Sequence, residues 1–319
     1  MRLGVGLWCL QSTAHRPRPH VRAYRELRDD ARLIERLGFD GIWLSEHHFF
    51  YDGYCPALLP AAASALAVTS RLRVGTGMLL LPLQDPRRVA TCAADLARRS
   101  GGRFDLGVGL GYREAEFAGK GLSLRERLPR LLRGLEVLEP AGVPVWMGGA
   151  TVRSAARAGA RGHPILLSGA LPTAKVLDLA RAHRAAWEAA RRPGPAPVVG
   201  ALRNVWVTDD PAEREAVLDW VRASYVLYAG LGWAVAAEGE HRKMDFQRDA
   251  GAAIADAVAT TVVGSADRVV EALEELAEGG VGYVACRLML EGAPRAAIHA
   301  VLHRLANGVL PRLRDAVAA

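Results

Sequence analysis

Eight short apolar segments that alternate with helical segments restrict the fold of this 319-residue chain more than any other feature. We expect strands at residues 2–8, 41–45, 73–81, 103–108, 143–147, 165–167, 198–207 and 282–288. Helices are expected at residues 21–37, 57–69, 86–99, 123–138, 151–160, 172–191, 211–229, 265–278 and 294–316. Strands that alternate with helices form parallel sheets, and eight such units predict an α/β fold of the (β/α)8 TIM barrel type. A doubly wound open sheet is the alternative.

Residues 231–262 have no clear assignment. They are rich in Gly and Ala, carry the charged residues Glu238, Glu240, Arg242 and Lys243, and show no sustained apolar period. A long loop inside a compact domain usually has a function. We therefore expect one domain over residues 1–319, in which 231–262 form a loop or lid inserted over the mouth of the barrel.

Composition and charge argue against several classes of protein. The net charge of +7 comes mainly from arginines spaced three or four residues apart, which is typical of solvated helix faces rather than of nucleic-acid binding. No apolar run is long enough to span a membrane or to act as a signal peptide, so a cytoplasmic protein is expected. The cysteines Cys9, Cys55, Cys92 and Cys286 form no CxxC pair, so neither a disulfide framework nor a zinc ribbon is expected.

Acid/base side chains follow the second strand directly. Glu46, His47 and His48 come after residues 41–45, and parallel barrels carry their chemistry at the carboxyl ends of strands. Imidazole next to carboxylate can act as general base, hydrogen-bond donor or metal ligand. The alternative is a pair of structural histidines. No metal site is expected, because adjacent histidines on a strand point to opposite sides and no third ligand follows at a suitable spacing.

Glycines mark two further segments. Those in Gly75-Thr76-Gly77-Met78 allow a flat ligand to approach the backbone closely, or they mark a bend of the barrel. The run Gly148-Gly149-Ala150-Thr151 leads into a helix, whose N–H groups and dipole favour an anion such as phosphate. Thr151 could instead only cap that helix. Cations on the preceding connection support the phosphate interpretation: Arg113, Lys120, Arg125 and Arg127.

Several of these segments together resemble the bacterial luciferase-like flavin-dependent monooxygenases, and the α-subunit of bacterial luciferase in particular. The similar segments are 38–49, 74–77, Leu81-Pro82, Asp85-Pro86, 100–109, 263–265 and 282–288. The resemblance implies a luciferase-like TIM barrel that binds FMN, as reduced FMNH2, at its C-terminal mouth. There reduced flavin and O2 oxidise a small organic substrate.

The resemblance also assigns roles to single residues. His47 matches a histidine thought to act as catalytic base, flanked by Glu46 and His48, and Gly77–Met78 matches a non-proline cis peptide under the flavin ring. The residues expected to bind the cofactor are Trp8, Gly77, Met78, Leu110, Tyr112, Arg127, Gly148, Gly149, Ala150 and Thr151. Leu110 departs from the family, which commonly has a phosphate-binding arginine there. Gly109 replaces the reactive cysteine of luciferase, so light emission is not expected.

The function expected from these features is an FMNH2-dependent monooxygenase, with natural-product tailoring as its suggested context. Because no Gly-x-Gly-x-x-Gly fingerprint follows a strand, a separate flavin reductase is expected to supply the reduced flavin. The alternatives are a deazaflavin-dependent oxidoreductase of the same barrel family, a non-catalytic flavin-binding protein and, least favoured, a metal-dependent hydrolase.

A homodimer is expected from the small residues of the helices at 57–69 and 86–99, which would allow close packing between subunits. These residues are Ala61, Ala62, Ala63, Ala65, Ala90, Ala93, Ala94 and Ala97. The alternative is that the alanines only pack each helix against its own barrel.

Overall fold

A computed structural model describes residues 1–12, 17–50, 54–230, 234–237, 240–243 and 246–318. Its strands are β1 (Arg2–Trp8), β2 (Gly41–Leu44), β3 (Arg73–Thr76), β4 (Leu79–Leu80), β5 (Phe104–Gly109), β6 (Val145–Gly149), β7 (Ile165–Leu167), β8 (Val199–Val207), β9 (Ala234–Ala237), β10 (Glu240–Lys243), β11 (Val262–Gly264) and β12 (Tyr283–Arg287). Its helices are α1 (His20–Arg36), α2 (Leu58–Leu66), α3 (Pro86–Arg99), α4 (Glu114–Ala118), α5 (Arg127–Leu138), α6 (Val152–Arg161), α7 (Thr173–Ala189), α8 (Pro211–Gly230), α9 (Phe246–Ala259), α10 (Ala266–Glu278), α11 (Arg295–Gly308) and α12 (Leu310–Ala318).

Eight parallel strands close into a barrel. The order is β8-β12-β1-β2-β3-β5-β6-β7, and the pairing of β7 with β8 joins the two ends. The predicted (β/α)8 barrel is thereby confirmed, and the open doubly wound sheet is excluded. The remaining strands are accessory: β4 extends the edge of β5, β11 adds to β8, and β9 pairs only with β10.

Three sequence predictions need correction. The predicted strand over 73–81 is interrupted at Gly77–Met78, where the chain has a cis peptide bond, and continues as β4. The predicted helix over 294–316 is two helices, α11 and α12, which meet at Val309. The expectation of one long loop over 231–262 is wrong for 246–264, which form α9 and β11.

The remaining part of that segment contains the short hairpin of β9 and β10. Residues 231–233, 238–239 and 244–245 lie outside the described part of the chain. A lid role for the segment stays a prediction.

A layer of large side chains fills the barrel. Trp43, Trp146 and Tyr283 meet edge to face, with ring centroids 5.1–6.0 Å apart. Glycines opposite these rings make room for them: a Cβ on Gly75 would lie 2.5 Å from Cε3 of Trp43, and one on Gly4 would lie 1.7 Å from the Tyr283 hydroxyl oxygen. The barrel therefore has a packed interior below its mouth.

The alanines of α2 and α3 divide into two groups. Ala61, Ala62, Ala65 and Ala93 are fully buried within the chain, as expected if they pack helix against barrel. Ala63, Ala94 and Ala97 remain partly accessible. The homodimer stays a prediction. Among the described residues, no helix combines the length and the hydrophobicity needed to cross a bilayer.

The buried hydrogen bond from Trp43 Nε1 to the Tyr283 hydroxyl, at 2.9 Å, generates a test of the interior layer. Tyr283→Phe leaves the indole N–H without a partner, which should lower the free energy of unfolding by about 1–3 kcal/mol. Tyr24→Phe is the matched control, because the Tyr24 hydroxyl makes no hydrogen bond within the described residues. Urea denaturation of both variants measures the difference, and equal stabilities would contradict the role given to this bond.

Candidate active site

Each histidine of the loop after β2 is paired with its own carboxylate. Nδ1 of His47 lies 2.9 Å from Oε1 of Glu116, and Nε2 of His48 lies 2.5 Å from Oε1 of Glu46. All four side chains are buried. The loops after β2 and β5 are therefore held together by buried polar pairs, although His47 and Glu116 are far apart in the sequence.

Glu116 fixes the orientation of the His47 ring. An ionised carboxylate can only accept hydrogen bonds, so we assign the proton to Nδ1 of His47, which leaves Nε2 as an acceptor. The Tyr112 hydroxyl, 3.2 Å from Nε2, is placed to donate to it. The same Glu116 oxygen also accepts the backbone N–H of His48 at 2.8 Å. His47 thus presents a nitrogen that can take up a proton.

The charge of Glu116 is stabilised despite full burial. Burial alone would raise the pKa of this carboxyl group, but the hydrogen bonds from His47 and from the His48 N–H, together with the charge of Arg113 at 3.6 Å, lower it. The Arg113 guanidinium also donates to the His48 carbonyl oxygen at 2.9 Å and lies over the Phe50 ring. Arg113 therefore contacts the loop that carries the two histidines. The sequence analysis expected it to contribute to a phosphate site, and this placement corrects that expectation.

Aromatic rings surround His47. The ring centroids of Phe50 and Tyr54 lie 4.8 Å from that of His47, Tyr112 lies at 5.7 Å and Tyr228 at 6.3 Å. Burial, with smaller electrostatic contributions from neighbouring groups, raises the pKa of all three tyrosines. Their phenols are therefore neutral hydrogen-bonding groups at neutral pH, and they leave His47 in a largely apolar enclosure.

Glu46 and His48 link neighbouring segments. Glu46 accepts the amide of Gln84 at 3.0 Å and the backbone N–H of Leu80 at 3.3 Å in addition to His48. These contacts join the loop after β2 to the segment that follows the cis peptide. The geometry fits a positioning role for this pair, and the catalytic role expected for Glu46 and His48 stays a prediction.

The cis peptide at Gly77–Met78 lies on a surface lined by glycines, as the resemblance implied. A Cβ on Gly109 would lie 3.0 Å from Cβ of Met78, and one on Gly148 would lie 2.8 Å from its Cγ. Larger residues at these positions would displace Met78. β3, β5 and β6 thus form a floor in which these glycines make room for the Met78 side chain.

The turn before α6 is occupied by its own cap. Thr151 Oγ1 accepts the Ser154 N–H at 3.2 Å, and Ser154 Oγ accepts the N–H groups of Ala150 and Thr151 at 3.2 and 3.0 Å. Thr151 therefore caps its own helix as expected, and phosphate binding at this turn, which the cap does not exclude, stays a prediction. An anion at this turn would rely on the next N–H groups of the helix, those of Val152 and Arg153.

Other residues expected at the cofactor site differ in placement. Arg127 is half-buried and donates to the Gly111 carbonyl oxygen at 3.3 Å, and burial lowers its pKa. Leu110 follows β5 and is partly exposed beside the floor. Trp8 is 3% exposed and packs in the core between strands and helices, a position that does not favour contact with a cofactor.

Two residues of the site were missed by the sequence analysis. Glu116 lies on α4, a five-residue helix too short to give an apolar period, and only its position after the fourth barrel strand could have indicated it. Arg287 ends β12 and is 4% exposed. The sequence signal that could have indicated Arg287 was a charged residue at the end of an otherwise apolar strand.

The lowered pKa of Glu116 generates a test by pH. A carboxyl group whose pKa is depressed on folding contributes stability above its unfolded pKa, and that stability is lost as the pH falls through the folded pKa. Glu116→Gln should lower the free energy of unfolding by about 2 kcal/mol at neutral pH. The difference from the unmodified protein should shrink below about pH 4. Urea denaturation across this range tests it, with the exposed Glu136→Gln as control; a pH-independent difference would contradict the assignment.

The chain is similar in sequence to known proteins. A family profile described as luciferase-like monooxygenase matches residues 3–141 and 132–282. The chain is 28% identical over 224 residues to an uncharacterized protein, y4vJ, of Sinorhizobium fredii, covering 61% of this chain and 64% of that protein. It is 26% identical over 333 residues to 4-hydroxyprotoasukamycin monooxygenase of Streptomyces nodosus subsp. asukaensis, covering 94% and 89%. A shorter match, 38% over 86 residues, covers 27% of this chain and 24% of the alkanal monooxygenase alpha chain of Photorhabdus laumondii.

Solved structures share the fold. Monooxygenase RslO1 from Streptomyces bottropensis has a TM-score of 0.78 at 21% identity, covering 98% of this chain and 100% of its own. The oxygenating constituent of 3,6-diketocamphane monooxygenase from Pseudomonas putida, in complex with FMN, has a TM-score of 0.74 at 18% sequence identity, and the match covers 98% of each chain. An F420-dependent secondary alcohol dehydrogenase has a TM-score of 0.71 at 14% sequence identity, and the match covers 97% of this chain and 98% of that one. With the family profile matched from residue 3 to residue 282, the chain belongs to the luciferase-like monooxygenases.

Proposed function

We propose that this protein is a monooxygenase that uses FMNH2 and O2 to oxidise an organic substrate. The observation that carries the proposal is His47, held by Glu116 with Nε2 toward the aromatic enclosure at the mouth of the barrel. The similarity of the chain to monooxygenases over nearly its whole length supports the reaction class. The FMN bound by one structural relative supports the cofactor.

The residues present fit a flavin in part. The floor around Gly77 and Met78 is proposed to face the flavin ring because the resemblance matches this cis peptide to the one under the ring, while its glycines make room for Met78. Arg127 and the first turn of α6 are the groups proposed to hold the phosphate, whereas Leu110 adds no charge. When bound, reduced flavin would supply two electrons to O2, so that one oxygen atom enters the substrate and the other leaves as water.

The protein's own contribution is proton transfer and shielding. Nε2 of His47 accepts a proton from the substrate or returns one to it, while Glu116 holds the ring and stabilises the charge that develops on it. Because Nε2 has one lone pair, the hydrogen bond from Tyr112 at this nitrogen must open before it takes up the proton. Phe50 and Tyr54 cover the imidazole and keep water away from it.

Two alternatives remain as proposals of second rank. A deazaflavin-dependent oxidoreductase is supported by the F420-dependent structural relative. A flavin-binding protein without catalysis does not need a histidine oriented by a buried carboxylate, so the pair of His47 and Glu116 disfavours it. The proposal also includes a separate flavin reductase, a tailoring role in natural-product biosynthesis, a homodimer and a cytoplasmic location.

The function and the role of His47 are tested together. The purified protein should bind FMN more tightly than F420, and with FMNH2 and isotopically labelled O2 it should insert one labelled oxygen atom into a member of a panel of ketones, aldehydes, phenols and carboxylic acids. His47→Ala should keep flavin affinity within a few-fold and lower the oxygenated product by about 10²–10⁴.

Thermal unfolding of His47→Ala provides the control for folding. Preference for F420 with hydride transfer would replace the proposal by the deazaflavin alternative. Parallel losses of melting temperature, flavin binding and turnover would make His47 structural.

Phosphate binding is tested on the two arginines that flank Glu126. Arg127→Ala should weaken FMN binding by about tenfold, the loss expected for one charged hydrogen bond. Arg125→Ala removes the same charge from an exposed position in the same segment and should have little effect. Thr151→Ala is a less selective variant, because it also removes a helix cap worth about 1 kcal/mol. Fluorescence titration of riboflavin, which lacks the phosphate, should not distinguish Arg127→Ala from the unmodified protein; a loss there would contradict a phosphate role.

A further inference from the structure

Arg287 is a buried cation at the mouth of the barrel. It is the last residue of β12, in register with Gly6 of β1, and it follows the interior residues Tyr283 and Ala285 on the same face of the strand. Only 4% of its surface is exposed. Because the carboxyl ends of barrel strands carry function, a charge in this place calls for an explanation.

No countercharge accompanies this guanidinium. Among the residues that the structure describes, Arg287 has no ion pair, and its Nε makes no hydrogen bond. Other buried or half-buried arginines do have carboxylate partners, such as Arg73 with Asp105 and Arg18 with Glu26. A further exception is Arg203, which donates to the Leu202 carbonyl oxygen while its Nη2 makes no hydrogen bond among the described residues. Burying an unpaired charge is costly, and an anionic ligand at Arg287 would offset that cost.

Two tyrosines cover the guanidinium and leave its edge open. The guanidinium carbon lies 5.4 Å from the ring centroid of Tyr225 and 5.2 Å from that of Tyr228. Cation–π contacts of this kind stabilise the charge without using its N–H groups. Arg287 also lines a small cavity, so the outer N–H groups of the guanidinium are its candidate donors to an anion, whereas Nε is itself buried and lacks a hydrogen-bond partner among the described residues.

The space beside these donors limits what can bind. A cavity of ≈ 10 Å³ is lined by Gln11, Ser224, Leu227, Tyr228, Arg287, Met289, Leu290 and Glu291. This volume holds about one water or one ligand oxygen. Glu291 is also among the lining residues, and an acidic residue nearby disfavours a doubly charged group such as phosphate more than a singly charged one. A carboxylate with one oxygen in the cavity satisfies both limits.

Tyr228 connects this position to the proposed base. Its ring lies 6.3 Å from the His47 ring and 5.2 Å from the Arg287 guanidinium carbon, and its hydroxyl lies 3.1 Å from that of Tyr54. One tyrosine ring thus lies close to both the Arg287 guanidinium and the His47 ring.

We propose that Arg287 binds the carboxylate of the substrate, so that the substrate class of this enzyme is an organic carboxylic acid. The inference rests on the proposed monooxygenase function and adds its substrate class. Arg287 sets specificity by pairing with the carboxylate, and the position that is oxidised lies on the side of the substrate nearer to His47.

Binding of simple probes tests the inference without turnover. Benzoate and octanoate are titrated calorimetrically against the purified protein, each beside its neutral amide, benzamide or octanamide. At least one acid should bind about tenfold or more tightly than its amide. Arg287→Leu should abolish this preference, and Arg287→Lys should keep part of it.

Two controls separate charge from folding. Arg71→Leu removes an exposed charge at the amino end of β3 and should leave the preference unchanged. Because Arg287 lacks an ion pair, Arg287→Leu should melt no lower than the unmodified protein, and its affinity for FMN should stay within a few-fold. If Arg287→Leu fails to fold, Arg287→Gln takes its place in the titration.

Three results would overturn the assignment: equal binding of acid and amide, no binding of either acid, or a preference that survives Arg287→Leu. Failure of the proposed function gives a different result. In that case FMNH2 and O2 yield no oxygenated product from any carboxylic acid, while the preference for acid over amide persists and still depends on Arg287.

Discussion

Closure of the barrel is the constraint on which the rest of the structure depends. Once β7 pairs with β8, every barrel strand has hydrogen-bonded neighbours on both sides, and the side chains that face inward must share a fixed volume. Trp43, Trp146 and Tyr283 take most of it, and glycines on the facing strands compensate. This layer sets the depth of the barrel interior, so that the floor at Gly77–Met78 lies above a packed core.

Above that floor, buried charge holds the loops in place. The ionised Glu116 accepts hydrogen bonds from the His47 ring and from the His48 backbone, and it lies near Arg113, so the loops after β2 and β5 share one network. Hydrogen bonds from several donors offset the free-energy cost of burying a carboxylate charge. Removal of one donor leaves part of that cost uncompensated. The orientation of His47 thus follows from packing as much as from its own loop.

The strands and most helices could be predicted because their residues carry local signals. Apolar runs bounded by glycine and proline marked the barrel strands, and the residue types after β2 marked the site at His47. The helix α9 was missed because its apolar positions are largely alanine, which gives little contrast with its polar side. Glu116 could not be paired with His47 from the sequence, since that contact depends on the closed barrel bringing two loops together.

The tyrosines between the two functional groups restrict how protons can move at the mouth. Burial raises the pKa of Tyr54 and Tyr228, so both phenols keep their protons at neutral pH and act only through hydrogen bonds. The charge of Arg287 opposes this shift at Tyr228, but burial has the larger effect. In the proposed function, proton transfer is therefore left to the histidines, of which His47 faces the enclosure. The proposed recognition at Arg287 and the proposed chemistry at His47 would thus be separated by neutral aromatic groups, which would position a ligand without competing for its proton.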